Sequence, residues 1–175
     1  MKKTINLFVD MDGTIAKFYH NKKCLEKMYE KGYFGNLPTY AMANKINEFA
    51  SKDTCVNVYI LSACIESDYC EQEKVEWLLK YMPNINPLNF IFTQVGESKV
   101  LKAREKVENF NECINILLDD YTLNLEIWQT HSPLCMSVKF LNGINDTTKS
   151  WQGERVKTFG QLEKLMQKLA MYGKE

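Results

Sequence analysis

Asp10-Met11-Asp12-Gly13-Thr14 sets two carboxylates one residue apart, directly behind the apolar run Thr4-Ile5-Asn6-Leu7-Phe8-Val9. That run is rich in β-branched and aromatic residues and reads as a buried strand. The C-terminal edge of such a strand is where open α/β sheets bind ligands. Two crowded acids repel unless a cation or a proton intervenes, so the pair asks for a metal, a raised pKa, or both. A calcium loop fails on spacing: counted from Asp10, the EF-hand glycine and glutamate positions hold Ile15 and Asn21. An ordinary Asp-Gly turn is the competing account of these five residues taken alone.

Similar strand ends recur along the chain and favour chemistry. Val56 to Leu61 ends at Ser62 and the amide of Ala63, Asn89 to Thr93 is followed by Lys99, and Ile114 to Leu118 ends in Asp119-Asp120. In a parallel sheet these ends converge. Together they supply what phosphoryl transfer through an aspartyl intermediate requires. Like unit charges 4 Å apart cost about 4 kcal/mol at an effective dielectric of about 20, so a carboxylate cannot easily approach a phosphate dianion. A divalent cation reverses that sign, and a lysine adds to the neutralisation. A hydroxyl and free amides at a helix N-terminus then hold the phosphate oxygens. Hard oxygen ligands favour Mg²⁺ over zinc or copper.

The elements that must position these groups alternate. Between the first two strands, Leu25, Met28 and Tyr29 share one helical face and Met42, Ile46 and Phe49 another, with Gly32, Gly35 and Pro38 between them. This spacing predicts a helical hairpin, a small cap inserted at about 17–52. Val75, Leu78, Leu79 and Met82 mark a helix that Pro83 closes, and Ser98 to Val107 marks another. Asn124 to Thr130 reads as a short helix and Leu134 to Leu141 as a fifth strand. Thr158 and Gln161 form a capping box for a last helix with Phe159, Leu162, Leu165, Met166 and Leu169 on its core face. The alternation predicts an α/β fold, a Rossmann-like parallel sheet with helices on both faces, as one domain over 1–175. The loop from Asn142 to Lys157 shows no readable pattern.

Composition excludes several function classes. The 175 residues carry 22 basic and 22 acidic side chains, with no basic stripe that would mark a nucleic-acid polymer as partner. No apolar stretch is long enough to span a bilayer, and Met1-Lys2-Lys3 leads into a core strand rather than a signal peptide. The six cysteines form no C-x-x-C pair, which argues against structural zinc and for a reduced cytoplasm. His20 and His131 are the only histidines and neither sits at a strand end; G-x-S-x-G is absent, so histidine- and serine-based hydrolysis fall away.

This set of residues resembles the phosphatase branch of the haloacid dehalogenase superfamily. The resemblance implies that Asp10 is the nucleophile and Asp12 the general acid/base, with Ser62, Ala63 and Lys99 on the phosphate. It implies Mg²⁺ held by Asp10, the main-chain carbonyl of Asp12 and Asp120, with Asp119 beside them. Lys102 and Lys106 rival Lys99 for the phosphate.

A narrower likeness runs through Ile116 to Leu125, Val138 to Asn142 and Trp151-Gln152-Gly153. It looks like the cytosolic-type 5′(3′)-deoxyribonucleotidase family, particularly its bacterial and phage members. It implies a deoxyribonucleoside monophosphate substrate and a nucleobase pocket lined by Phe18. A phosphatase of sugar phosphates or other small metabolites, and a non-catalytic nucleotide- or metal-binding protein, are the alternatives.

Overall fold

The computed structural model describes residues 4–52, 54–145 and 151–172. Met1-Lys2-Lys3 and the centre of the Asn142–Lys157 loop lie outside them. Six strands form one parallel sheet: β1 (Ile5–Val9), β2 (Val56–Cys64), β3 (Phe90–Gln94), β4 (Ile114–Asp119), β5 (Cys135–Phe140) and β6 (Glu154–Val156). Their spatial order is β3-β2-β1-β4-β5-β6. Successive strands step one way from β1 and the other way from β4. The crevice between those two strand ends is therefore the topological switch point, where such sheets bind ligands.

Both faces are covered, as continuous apolar strands demand. Helices α2 (Ala41–Ala50), α3 (Cys70–Tyr81) and α6 (Phe159–Tyr172) pack on the face carrying Ile5, Leu7, Val9, Ile60, Ile116 and Leu118. Helices α4 (Lys99–Lys106) and α5 (Thr122–His131) cover the face carrying Phe8, Leu61 and Leu117. Gln161 accepts from the Lys157 and Thr158 amides at 2.7 and 3.2 Å, closing the N-terminus of α6 as the capping box predicts.

Strand register is pinned by asparagines. Asn6 faces Asn57 on β2 and Asn115 on β4, and all three side chains join one hydrogen-bonded row across the sheet. A slip of one residue would turn this row into the apolar layer, leaving its amides without partners.

The insertion after β1 differs from the hairpin that periodicity predicts. Its first helical segment is a 3₁₀ turn at Phe18–His20 and a single turn, α1, at Cys24–Lys27. α1 ends at Lys27, after which the Tyr29, Glu30 and Tyr33 amides bond carbonyls three residues back in tight turns, with Gly32 at φ +93° among them. The second arm, α2, packs against α3 and α6 and belongs to the sheet's own covering layer. Apolar spacing alone cannot separate a core crossover helix from a cap helix, because both bury one stripe. Two other elements also depart from expectation. β2 runs on through Ser62 and Ala63 to Cys64, and β6 arises inside the stretch that showed no pattern.

Candidate active site

Strand parity decides which side of the sheet each group meets. Asn6, Phe8 and Asp10 alternate with Ile5, Leu7 and Val9, so Asp10 projects toward α4 and α5. On β4 the same parity sends Asn115, Leu117 and Asp119 to that face. Lys99, the first residue of α4, reaches between the two acids. Its ammonium lies 2.5 Å from Asp10 Oδ1 and 2.8 Å from Asp119 Oδ2. Ser62 has the opposite parity and faces α3.

Asp10, Asp119 and Asp120 come together in one buried cluster, each offering an oxygen within 4.8 Å of the others. Their exposures are 5%, 0% and 8%, so water supplies little screening. Burial pushes the Asp10 carboxyl up to about 7; Lys99 opposes this, and the charges of Asp119 and Asp12 reinforce it. Burial likewise holds Asp120 well above the usual carboxylate range, with Asp119 and Asp10 adding to the effect. Burial pulls Lys99 down, but Asp10 and Asp119 together outweigh it and its pKa is raised. Among the described residues Lys99 is ion-paired with two of the three carboxylates, and Lys139 acts on Asp120 and Asp119 without an ion pair. The donor set is all hard oxygen, desolvated and short of positive charge, and it fits a divalent cation such as Mg²⁺.

The loop that carries Asp12 is built around Gly13. Its φ is +84°, and a Cβ there would lie 2.4 Å from Asp120 Oδ2. Only glycine permits both the backbone conformation and this approach. The amides of Thr14, Ile15 and Ala16 all donate to the Met11 carbonyl, which folds the loop back on itself. Asn142, just past β5, donates to the Gly13 carbonyl and to Asp120 Oδ2, both at 3.0 Å. Asn145 Nδ2 donates to the Asp120 carbonyl at 3.2 Å. Asp119 accepts from the Tyr121 amide and from Asn124 as well as from Lys99, so its lone pairs are largely committed.

Asp12 stands apart from the cluster, with a lysine of its own. Lys74 Nζ lies 2.5 Å from Asp12 Oδ2, 3.0 Å from Ser62 Oγ and 2.5 Å from the Ala63 carbonyl. Sequence reading passes over Lys74, although a signal exists. Cys70, Glu73, Lys74, Trp77 and Leu78 form the buried stripe of α3, and a Glu-Lys pair on such a stripe needs partners. Lys102 and Lys106, the rivals to Lys99, are away from the cluster and pair with Glu105.

Ser62 and Ala63 lie within β2, and α3 begins only at Cys70, so neither sits at a helix N-terminus as the sequence suggests. Ser62 still borders the site through Lys74. Phe18 is 8% exposed and packs among Tyr19, Tyr33 and Phe34, with ring centroids 5.1, 5.6 and 6.4 Å away. Burial raises the Tyr19 hydroxyl's pKa, and the charges of Asp120 and Asp10 raise it further. His20 bonds the Lys17 carbonyl and His131 ends α5; neither joins the site.

No protein-family model matches the chain. Over 144 residues it is 26% identical to a Staphylococcus aureus (strain MSSA476) protein named "Putative 5′(3′)-deoxyribonucleotidase", covering 82% of this chain and 68% of that one. A Staphylococcus epidermidis (strain RP62A) protein of the same name is 26% identical over 113 residues, covering 65% of this chain and 55% of its own. Among solved structures, a phosphoserine phosphohydrolase-like protein from Francisella tularensis superposes with a TM-score of 0.56 at 13% identity, covering 94% of this chain and 99% of that one. DsGPDH of Dunaliella salina also gives a TM-score of 0.56, at 15% identity, covering 90% of this chain and 28% of its own. The structural likeness is one of fold, an α/β Rossmann-like sheet. The chain thus shares its fold with a phosphoserine phosphohydrolase-like protein and is similar in sequence to proteins named as putative 5′(3′)-deoxyribonucleotidases.

Proposed function

We propose that this protein is a Mg²⁺-dependent phosphomonoesterase that acts on deoxyribonucleoside monophosphates through an aspartyl-phosphate at Asp10. The observation that carries the reading is the buried cluster of Asp10, Asp119 and Asp120, two of them ion-paired with Lys99, at the switch point of the sheet. Asp10, Asp120 and the main-chain carbonyl of Asp12 would hold the cation, with Asp119 beside them. When bound, it would neutralise charge on the carboxylates and on the phosphoryl oxygens.

Lys99 uses two of its three N–H groups on carboxylates among the described residues, which leaves the third for a phosphate oxygen. The Ser62 hydroxyl accepts from Lys74, so its own proton is free to donate to another. Asp10 attacks phosphorus as the bond to the sugar oxygen breaks, and Asp12 donates a proton to that oxygen. Asp12 then takes a proton from the water that hydrolyses the acyl phosphate. Buried surroundings strengthen each of these interactions. The substrate class is supported by the relatives' names, and the aromatic group of Phe18, Tyr19 and Tyr33 suits a nucleobase.

Steady-state turnover on dUMP, dTMP and hexose phosphates, with Mg²⁺ and with EDTA, tests the assignment. Release of phosphate from the nucleotides should dominate, require Mg²⁺ and vanish in Asp10→Asn. A preference for hexose phosphates would replace the substrate class. Substantial activity in the Asp10→Asn variant would remove the nucleophile.

A further inference from the structure

We propose that Lys74 is a positioning residue that fixes the orientation of the Asp12 carboxylate toward the leaving group, an inference that rests on the phosphatase reading above. An ammonium has three donors and no acceptor. Those of Lys74 meet three acceptors: Asp12 Oδ2, Ser62 Oγ and the Ala63 carbonyl. The side chain is fully buried, so no N–H is left over for substrate. Lys99, with one donor to spare, is the phosphate lysine; Lys74 is occupied by the protein itself.

Anchoring Oδ2 defines the other oxygen. Asp12 Oδ1 is buried and has no hydrogen-bond partner among the described residues. A buried acceptor left open costs about 1–3 kcal/mol, and such groups are kept where a ligand completes them. Oδ1 is thus the atom that carries the proton to the sugar oxygen, with Oδ2 held in place by Lys74.

The same helix turn also fixes the insertion. The Glu73 carboxylate accepts from the Gly32, Phe34 and Gly35 amides, and Trp77 donates to the Leu37 carbonyl at 2.7 Å. Phe34, placed by that grip, lays its ring 4.8 Å from Lys74 Nζ and closes it off from water. Neighbouring residues of α3 therefore hold the wall above the site and the acid within it.

Lys74→Met keeps the chain length and removes the donors. Its kinetics separate positioning from phosphate binding when read on two substrates under Mg²⁺. With dUMP, whose alkoxide leaving group needs a proton, kcat/KM should fall about 10²-fold, the contribution of a placed general acid. With p-nitrophenyl phosphate, whose leaving group departs unprotonated, kcat/KM should stay within about threefold, because it reports only the steps through leaving-group departure and not the later hydrolysis in which Asp12 is the base. Lys99→Met should instead slow both substrates and weaken inhibition by inorganic phosphate. Phe34→Leu, which keeps Lys74 and uncovers it, should shift the ratio of the two rates in the same sense by a smaller amount, so the inference stays testable if Lys74→Met does not fold. Equal loss of kcat/KM on both substrates, weakened inhibition of Lys74→Met by inorganic phosphate, or a Phe34→Leu ratio unchanged from wild type would overturn it. A wild-type protein inactive on both substrates would overturn the proposed function, and this inference with it; an active wild type with equal losses in Lys74→Met would overturn this inference alone.

Discussion

Removing the metal should make the protein's stability fall as pH rises, and Asp10 should dominate that fall. Its carboxyl is pushed from 3.8 up to about 7, chiefly by burial. The folded chain therefore binds this proton more tightly than the unfolded chain. Stability from the protonated acid is fully present below about pH 4 and is lost as pH climbs through about 7. A shift of about 3 units corresponds to about 4 kcal/mol at most. For a chain of this size that is about 8–16 °C in melting temperature. Thermal melts in EDTA between pH 5 and pH 8 should show the decline, with Asp120 adding to it in the same direction. Mg²⁺ should remove most of it, because the cation takes the proton's place, so the gap between the Mg²⁺ and EDTA curves should widen with pH. Asp10→Asn should flatten the EDTA profile, melt above wild type at pH 8, and respond less to Mg²⁺. Comparing variant with wild type cancels groups that titrate in both. If metal-free wild type melts equally at pH 5 and pH 8, or if Asp10→Asn is the less stable protein at pH 8, the charge-short cluster is wrong.

The geometry dictates three further outcomes. Gly13→Ala forces a Cβ to 2.4 Å from Asp120 Oδ2 at φ +84°, so it should displace Asp120 and abolish the Mg²⁺-induced rise in melting temperature, while the backbone conformation alone costs about 1 kcal/mol. Glu73→Ala strips the shared acceptor from the Gly32, Phe34 and Gly35 amides; urea unfolding should report a loss of about 3 kcal/mol, and those three amides should exchange hydrogen faster. Asn6→Leu leaves Asn57 and Asn115 without their partner inside the sheet and should lower the urea midpoint by an amount equivalent to about 2–3 kcal/mol, with the denaturant slope unchanged.

The legible features were those that depend on local pattern. Strands β1 and β4 are apolar apart from Asn6 and Asn115 and lead into acids, and both the apolar run and the charges are visible without a partner. The acid cluster could be inferred because parallel strands in register bring their ends together. Lys99 was legible because it opens a helix right after a strand. Lys74 was not, since its role depends on α3 docking over β2 and reaching Asp12, 62 positions away in the chain. β6 has only three residues and two exposed side chains, so it lacks the alternation that reveals longer strands. The insertion misled for the opposite reason. Its apolar spacing is real, but one stripe of it serves the sheet and the other serves a set of turns.

The two acids of the first loop illustrate why one fold can give similar groups different work. Asp10 shares its surroundings with two other carboxylates and one lysine, on the α4 side of the sheet edge. Asp12 has its own lysine, supplied by α3 from the other side, and no second acid bonded to that lysine among the described residues. A cation held at the first acid would leave the second carboxylate free to exchange a proton, as the proposed function requires. Separating the pair requires that one residue lie between them and that the loop turn at Gly13, so that helices from opposite faces can each reach one carboxylate. Motif spacing and sheet parity are thus a single constraint: shifting Asp10 by one position would send it to the face of Leu7 and Val9, among apolar side chains and away from Lys99.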